Sequence, residues 1–459
     1  MRTVWITLFC VVVLGLALGP ALFSRQKPAD EELVVISPHW DGIRNEFARA
    51  FSEQYEKKTG KSINVVWLDI GATGEIRKYL NERFNQAKPT EGIGADILFG
   101  GGADMLPGMA DKNYFEPYPL PAELLKDIPE SVNGQSLRDA KNRYHAACLS
   151  CFGFVYNKLV IERAHLITPQ TWDDLGDPGL QGWVICGNPA QSGSIHASFE
   201  IVLQGQGWDK GYRTLTRMAS NVRAFNEGGS SIPRDVSLGQ SAVGPSIDFY
   251  ASAPIRRQGA SFLQFVVPPD LVVATPDCIA MMRNPPNHRA AAEFMHFVLS
   301  EEGQKLWYQA RGQPGGPQDY DLERLPIMPK IYDMGLKTYT VINPFKIGAS
   351  KYDSRKVGAR WSTMDDLWRA TMIDPHEDLW NARKAIIGAG READLGQALC
   401  RPPLSEEAIT AIAAKRLPAG ARNALRNKWS AWARKWYAAI RTAAEQNRPT
   451  PEFTPAAAE

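Results

Sequence analysis

The chain has 459 residues, 44% of them hydrophobic and 22% charged, with a formal net charge of +2. That length suggests two or three domains with ample core, and the composition is ordinary for a soluble globular protein. A charge so near balance gives no reason to expect a nucleic-acid partner, whose binders concentrate positive charge.

After Arg2, the stretch TVWITLFCVVVLGLALGPALF carries no charge until Arg25. A basic start followed by a long apolar run reads as a secretory signal. The run also approaches the ~20 residues that span a bilayer, so an uncleaved anchor is the second reading. Residues 1–25 are therefore expected to be a signal peptide or membrane anchor. The rest is expected to be periplasmic or extracytoplasmic, secreted or N-terminally membrane-anchored. Cys10 lies too deep in the apolar run to look like a lipoprotein cysteine.

Beyond a short polar linker, strands and helices alternate. LVVISPHW is an apolar run ended by Pro38, and Ile43, Phe47, Phe51 and Tyr55 then recur every four residues up to a C-capping Gly60. SINVVWLDI is a second strand; Ile76, Leu80 and Phe84 share the face of the helix that follows it. ADILFGGG is a third strand running into glycines. Such a β-α-β-α-β series implies a parallel sheet covered by helices, with ligands beyond the carboxyl ends of the strands.

Six strand ends carry small polar residues: Ser37–His39, Gly71–Gly74, Gly100–Ala103, Asn188–Ser194, Phe225–Pro233, and the run ending in Asp248 and Tyr250. The Asn188–Ser194 turn is the sharpest, standing between the apolar run Trp183–Cys186 and a helical pattern from Ile195. A helix N-terminus offers unpaired N–H groups and partial positive charge. Gly193 admits close backbone approach, and Gln191, Ser192 and Ser194 add donors, which suits an anionic oxygen. Ordinary N-capping would explain any one such turn taken alone.

Cys148 and Cys151 form a C-x-x-C within ACLSCFGFVYNK. In a strand, such positions stand ~10 Å apart on opposite faces, beyond disulfide reach. Small buried cysteines are the expected reading, ahead of redox chemistry. The state of Cys186, Cys278 and Cys400 is open. No G-x-S-x-G elbow, Walker-type loop or H-E-x-x-H pattern is present, and no enzyme activity or cofactor is expected. His145, His165, His196, His288, His296 and His376 are scattered and read as structural or exposed.

The tail continues with two helices broken at Pro418–Gly420. Leu425, Trp429, Trp432, Trp436 and Ile440 make a stripe among basic residues, expected to pack on its own domain rather than on a membrane. NRPTPEFTPAAAE at the end reads as disordered.

Several of these stretches together resemble the substrate-binding proteins of bacterial ABC importers. The group includes binders of ferric ion, phosphonates, sugar phosphates, thiamine and polyamines. TPQTWDDLGDPGLQGWVICGNPAQSGS is similar to that family's helix and ligand-facing turn. CFGFVYNK resembles its strand crossing between lobes, and TPDCIAMMRNPPNHRAAAEFMHFVLSEEGQKLW its return segment. The resemblance runs from about Leu33 to Trp307. It implies an α/β, two-lobed, type II periplasmic-binding-protein-like fold, each lobe a mostly parallel sheet flanked by helices. Residues 33–150 plus 263–400 would form one lobe, 151–262 the other, and 401–459 a helical C-terminal extension.

The same resemblance implies capture of a small molecule or ion between the lobes and delivery to an ABC permease. The expected ligand set is Ser37, His39, Trp40, Gly71, Ala72, Thr73, Gly74, Gly101, Gly102, Gln191, Ser192, Gly193, Ser194, Glu227, Asp248 and Tyr250. Three ligand classes stay open: an anionic or phosphorylated organic solute, a metal ion, and a cation such as a polyamine or thiamine. If the ligand is a metal, His39, Asp248 and Tyr250 would hold it. The ferric-binding pattern is incomplete, because Phe249 replaces one of a tyrosine pair and Gly100–Gly102 stand where a carboxylate is expected. The rival readings are a membrane-tethered sensor or scaffold of the same fold, and a C-x-x-C redox protein.

Overall fold

The computed structural model describes residues 29–458 apart from Ala72, Ala103, Val341 and Ala349. The expected signal or anchor, Cys10 and the site residue Ala72 lie outside the described residues.

The first unit runs β1 (Glu31–Ile36), α1 (Asp41–Thr59), β2 (Ile63–Leu68), α2 (Thr73–Gln86), β3 (Ile97–Gly102) and the short α3 (Leu106–Ala110). β1 pairs in parallel with both β2 and β3. The four-residue spacing in α1 buries Ile43, Phe47, Phe51 and Tyr55. Gly60 ends that helix in the left-handed region, at φ 71°, where a side chain would be strained.

A small hairpin, β4 (Ser131–Val132) with β5 (Gln135–Ser136), precedes the long β6 (His145–Asn157), whose residues are all buried. A strand covered on both faces reads as a continuous apolar run, as this one does. The second unit follows: β7 (Val184–Gly187), α4 (Gly193–Gln206), α5 (Trp208–Asn221), β8 (Val222–Asn226), β9 (Val243–Ile247) and α6 (Asp248–Gln258). β7 pairs in parallel with β8 and β9. β10 (Leu263–Val266) and β11 (Ala274–Met281) then return along β6, followed by α7 (His288–Leu299) and α8 (Glu301–Tyr308).

The strand order is β2-β1-β3-β11-β6-β9-β7-β8, with β10 also on β6. β6 is common to both lobes: His145–Cys151 pair with β11, and Phe152–Tyr156 pair with β9. The change of partner falls between Cys151 and Phe152. β11 is antiparallel to β3 and β6, as β9 and β10 are to β6. Each lobe is thus a mixed sheet, parallel at its outer strands and antiparallel where the crossing strands run.

Two expected boundaries need correction. Leu263, Val266, Leu271 and Val273 lie in the second lobe's core, so the return to the first lobe begins at β11 rather than at residue 263. The segment to residue 400 also does not stay with the first lobe. From Val357 onward, buried side chains of α9 (Ser354–Trp368), α10 (His376–Ala389), α11 (Glu406–Ala414) and α12 (Ala419–Glu445) join the second lobe's core. Their apolar faces need cover, and the outer surface of α4 and α5 supplies it.

The tryptophan stripe packs inward as expected: Leu425, Trp429, Trp436 and Ile440 are buried in that core. The terminal segment, expected to be disordered, is ordered against it. Phe453 meets the Trp436 ring edge-on at 5.2 Å. Trp429 and Trp432 donate their indole N–H groups to the carbonyls of Ala457 and Thr454. A polar composition hid one aromatic anchor and two acceptors for the indoles it covers. Among the described residues, no helix is long and apolar enough to cross a membrane.

Candidate functional site

All six small polar turns follow the carboxyl ends of their strands, three in each lobe. Two clusters form where the lobes meet, one on the floor of the cleft and one at its mouth.

The floor is built around Asp277 of β11. Its carboxylate accepts the Gly101 N–H at 2.5 Å and Arg324 Nη2 at 2.5 Å, and meets His39 Nε2 at 3.2 Å. Burial opposes a charge there, but the Arg324 guanidinium and His39 hold the Asp277 carboxyl well below its usual range. Desolvation pulls His39 below its ordinary value, opposed by its hydrogen bond to Asp277, whose carboxylate oxygen accepts from Nε2. Arg324 is buried, with its guanidinium 4.0 Å from the Phe249 ring of the second lobe and 5.8 Å from the Trp307 ring of the first. It therefore spans the lobes at the crossing strands.

Asp248 starts α6. One carboxylate oxygen accepts the Cys151 N–H and the other the Phe249 N–H, each at 2.8 Å. Burial pushes its pKa up to about 6, against these bonds and the nearby Arg324. Tyr250 packs on Phe249 with ring centroids 4.4 Å apart. Cys148 and Cys151 are buried and unbridged in β6, and desolvation pushes the Cys148 thiol up to about 12. An inert thiol of this kind does not serve redox exchange.

At the mouth, α2 begins at Thr73 in the first lobe and α4 at Gly193 in the second. A Cβ on Gly193 would stand 3.1 Å from Thr73 Oγ1, so the two turns touch across the cleft. Ser192 caps α4: its Oγ accepts N–H groups from Ile195 and Gly229 and lies 3.1 Å from Ser194 Oγ. A Cβ on Gly229 would fall within 3.0 Å of both serine hydroxyls, so glycine there keeps the serine turn closely covered.

Other expected residues do not join these clusters. Trp40 is 45% exposed and turned edge-on to Tyr320. Gln191 and Glu227 are exposed. Ser37 Oγ is fully buried and accepts the His39 N–H, a local turn bond. Gly102 and Gly71 border the floor and mouth without a polar side chain to offer. A cavity of about 580 Å3 lies away from all of these turns, lined by Gln135, Leu203, Trp208, Tyr352 and Lys356.

The expected metal set is not assembled. Among the described residues, no three His, Cys, Asp or Glu side chains are grouped to hold a metal ion. Nε2 of His39 is engaged by Asp277, and both Asp248 oxygens accept backbone N–H groups. The Arg324 cation acts on Tyr250 and Asp248 alike. The positive charge facing these groups is a guanidinium supplied by the chain.

Several residues escaped the sequence reading. Asp277 could have been found as a lone carboxylate inside an apolar strand run, since a buried acid needs partners. Asp104 supplies a carboxylate two residues beyond β3, close to where the ferric-binding pattern has one. Burial raises its pKa, opposed by His196, by its own backbone N–H and by Arg77. Arg324, Arg77, His196 and Trp361 sit in no motif, and only the tertiary fold gathers them.

Asp248 gives a pH signature. Its folded pKa lies above the unfolded value of 3.8, so the folded state holds the extra proton and stability falls as pH rises through that window. Asp248→Asn removes this contribution. Relative to wild type, the variant is expected to gain up to about 3 kcal/mol between pH 4 and pH 7. Urea midpoints at a series of pH values measure it; a wild-type-minus-variant difference flat with pH would reject a buried, raised carboxyl.

A family model described as bacterial extracellular solute-binding protein matches residues 94–328. The phosphoglycerate transport regulatory protein PgtC of Salmonella typhimurium is 26% identical over 252 residues, covering 54% of this chain and 60% of that relative's length. Among solved structures, the periplasmic binding protein AfuA from Actinobacillus pleuropneumoniae, with exogenous fructose-6-phosphate bound, aligns with a TM-score of 0.58. Identity is 19%, over 78% of this chain and 98% of that one. The apo ferric ion-binding protein A of Pasteurella haemolytica aligns with a TM-score of 0.56 at 14% identity, over 73% of this chain and 96% of that one. At such identities these structures establish the type II two-lobed fold.

Proposed function

Because the chain belongs to the bacterial extracellular solute-binding protein family, we propose that it captures a small anionic organic solute between its lobes and delivers it to an ABC permease. The family is one of binding proteins rather than enzymes, and its extracellular character places the chain outside the cytoplasm. The observation that carries the choice of an anion is the pair of helix N-termini, at Thr73 and Gly193, that meet from opposite lobes. Two such ends face a phosphate or carboxylate with N–H groups and partial positive charge. The name of the Salmonella relative and the fructose-6-phosphate in the AfuA structure support a phosphorylated solute.

Binding here would favour the closed arrangement of the lobes, and a permease would read that arrangement. A second reading has its own support. The Salmonella relative is named a transport regulatory protein, which favours a sensor of the same fold, tethered by residues 1–25.

The test is isothermal titration beside a thermal-shift screen with 3-phosphoglycerate, fructose-6-phosphate, ferric citrate, thiamine and spermidine. A ligand at 100 times its Kd adds about 2.7 kcal/mol of stability. Phosphate esters are expected to bind, and Gly193→Val to weaken them at least about tenfold by holding Thr73 away. Binding of spermidine or thiamine alone would overturn the anion reading, and binding of ferric citrate without any phosphate ester would overturn the choice of a phosphorylated solute.

A further inference from the structure

We propose that the C-terminal extension is a latch on the solute cleft, with Trp361 of α9 as the residue that closes it. The extension lies beyond the segment matched by the family model, which ends at residue 328. Its helices are rooted in the second lobe's core, so they move with that lobe when the cleft opens.

From that root, α9 reaches the first lobe at the mouth. The Trp361 ring stacks on His196 of the second lobe, centroids 3.6 Å apart and nearly coplanar at 3°. Across the cleft, the Arg77 guanidinium of α2 stands 5.3 Å from that same ring. The Trp361 ring edge lies 3.9 Å from where a Gly193 Cβ would be, so it adjoins the turns assigned to the solute. Asp365, one turn further along α9, meets His196 Nδ1 at 2.8 Å and fixes the imidazole under the indole. Gly358 sits where an added Cβ would be 2.6 Å from the Asp104 carbonyl, so the α9 backbone itself packs on the first lobe beside α3.

A second contact works in the same sense on the flank. Gln135 of the first-lobe hairpin donates to the Tyr352 carbonyl, just ahead of α9, at 2.5 Å. Opening the lobes must separate Arg77 from Trp361 and strip both contacts. The latch thus biases the ligand-free chain towards closure, and it roofs the cleft with an indole that admits only a small solute. The roof rests on the cleft assignment above; the bias towards closure does not.

The experiment uses the full chain with Cys10→Ser, spin-labelled at Lys57→Cys and Glu162→Cys. These positions are exposed on opposite lobes, whereas the five described cysteines are buried. Interlobe distances are measured without ligand, and 3-phosphoglycerate dissociation is followed by stopped flow. Trp361→Ala and Arg77→Ala are each expected to populate longer distances and to speed dissociation about threefold or more. Unchanged distances in both variants overturn the latch. Should Trp361→Ala fail to fold, Arg77→Ala decides alone, since it removes the same contact from the other lobe. Longer distances with no phosphate ester bound to any form would uphold the latch and reject the anionic-solute reading.

Discussion

Replacing Arg324 with alanine is expected to cost about 3–5 kcal/mol of folding stability. The side chain is only 3% exposed, and its loss strands Asp277, itself 17% exposed, as an unpaired charge largely removed from water. The remaining partners of Asp277, the Gly101 N–H and the His39 ring, bring no guanidinium to replace the one lost. Urea unfolding measures the effect. Asp277→Asn placed in the same chain should recover part of the loss, because the uncompensated charge is then gone. Arg324→Lys should not restore wild-type stability. An ammonium cannot both stack flat on Phe249 and reach the Asp277 carboxylate. A loss below about 1 kcal/mol in Arg324→Ala would show that water reaches the floor of the cleft and screens Asp277.

The contrast between Arg324 and the strand-end turns explains what the sequence disclosed. Period-two and period-four patterns are local, so α1, its Gly60 cap and the carboxyl-end turns were legible from neighbouring residues. A buried strand around Cys148 and Cys151 was legible for the same reason, and His145–Asn157 is buried throughout; that it crosses between the lobes came from the family resemblance alone. Pairing between distant segments leaves no such trace. Arg324 and Asp277 are 47 residues apart, and Gly101 and Asp277 are 176 apart. Nothing near Arg324 marks it as buried.

The extension shows the same limit in apolar residues. A stripe such as Leu425–Ile440 announces that one face is covered and is silent about what covers it. That is why the lobe boundary at residue 400 was misplaced while the inward packing of the tryptophans was not. His196 is the functional counterpart. Alone it reads as a core histidine; only α9, brought from more than 150 residues downstream, makes it the seat of an indole beside the cleft.

Arg360 ties this extension to the cleft, and its replacement by alanine is the second large effect expected. Its guanidinium grips Glu200 of α4 with two bonds, at 2.9 and 2.6 Å, and reaches Glu406 of α11 at 2.6 Å. Glu200 is fully buried and Arg360 is 3% exposed, so solvent screens neither. Removing the cation leaves the Glu200 charge without its partner, at about 3–5 kcal/mol in urea unfolding. A paired replacement, Arg360→Met with Glu200→Gln, should cost clearly less, since no bare charge remains. Glu200 lies on the same helix whose first residue is Gly193, and Arg360 directly precedes Trp361. A slackened ion pair should therefore loosen the mouth of the cleft along with the extension. Arg360→Ala is expected to weaken phosphate-ester binding even at temperatures where the chain remains folded. Wild-type affinity in a destabilised Arg360→Ala chain would confine the ion pair to holding the extension and detach it from the solute site.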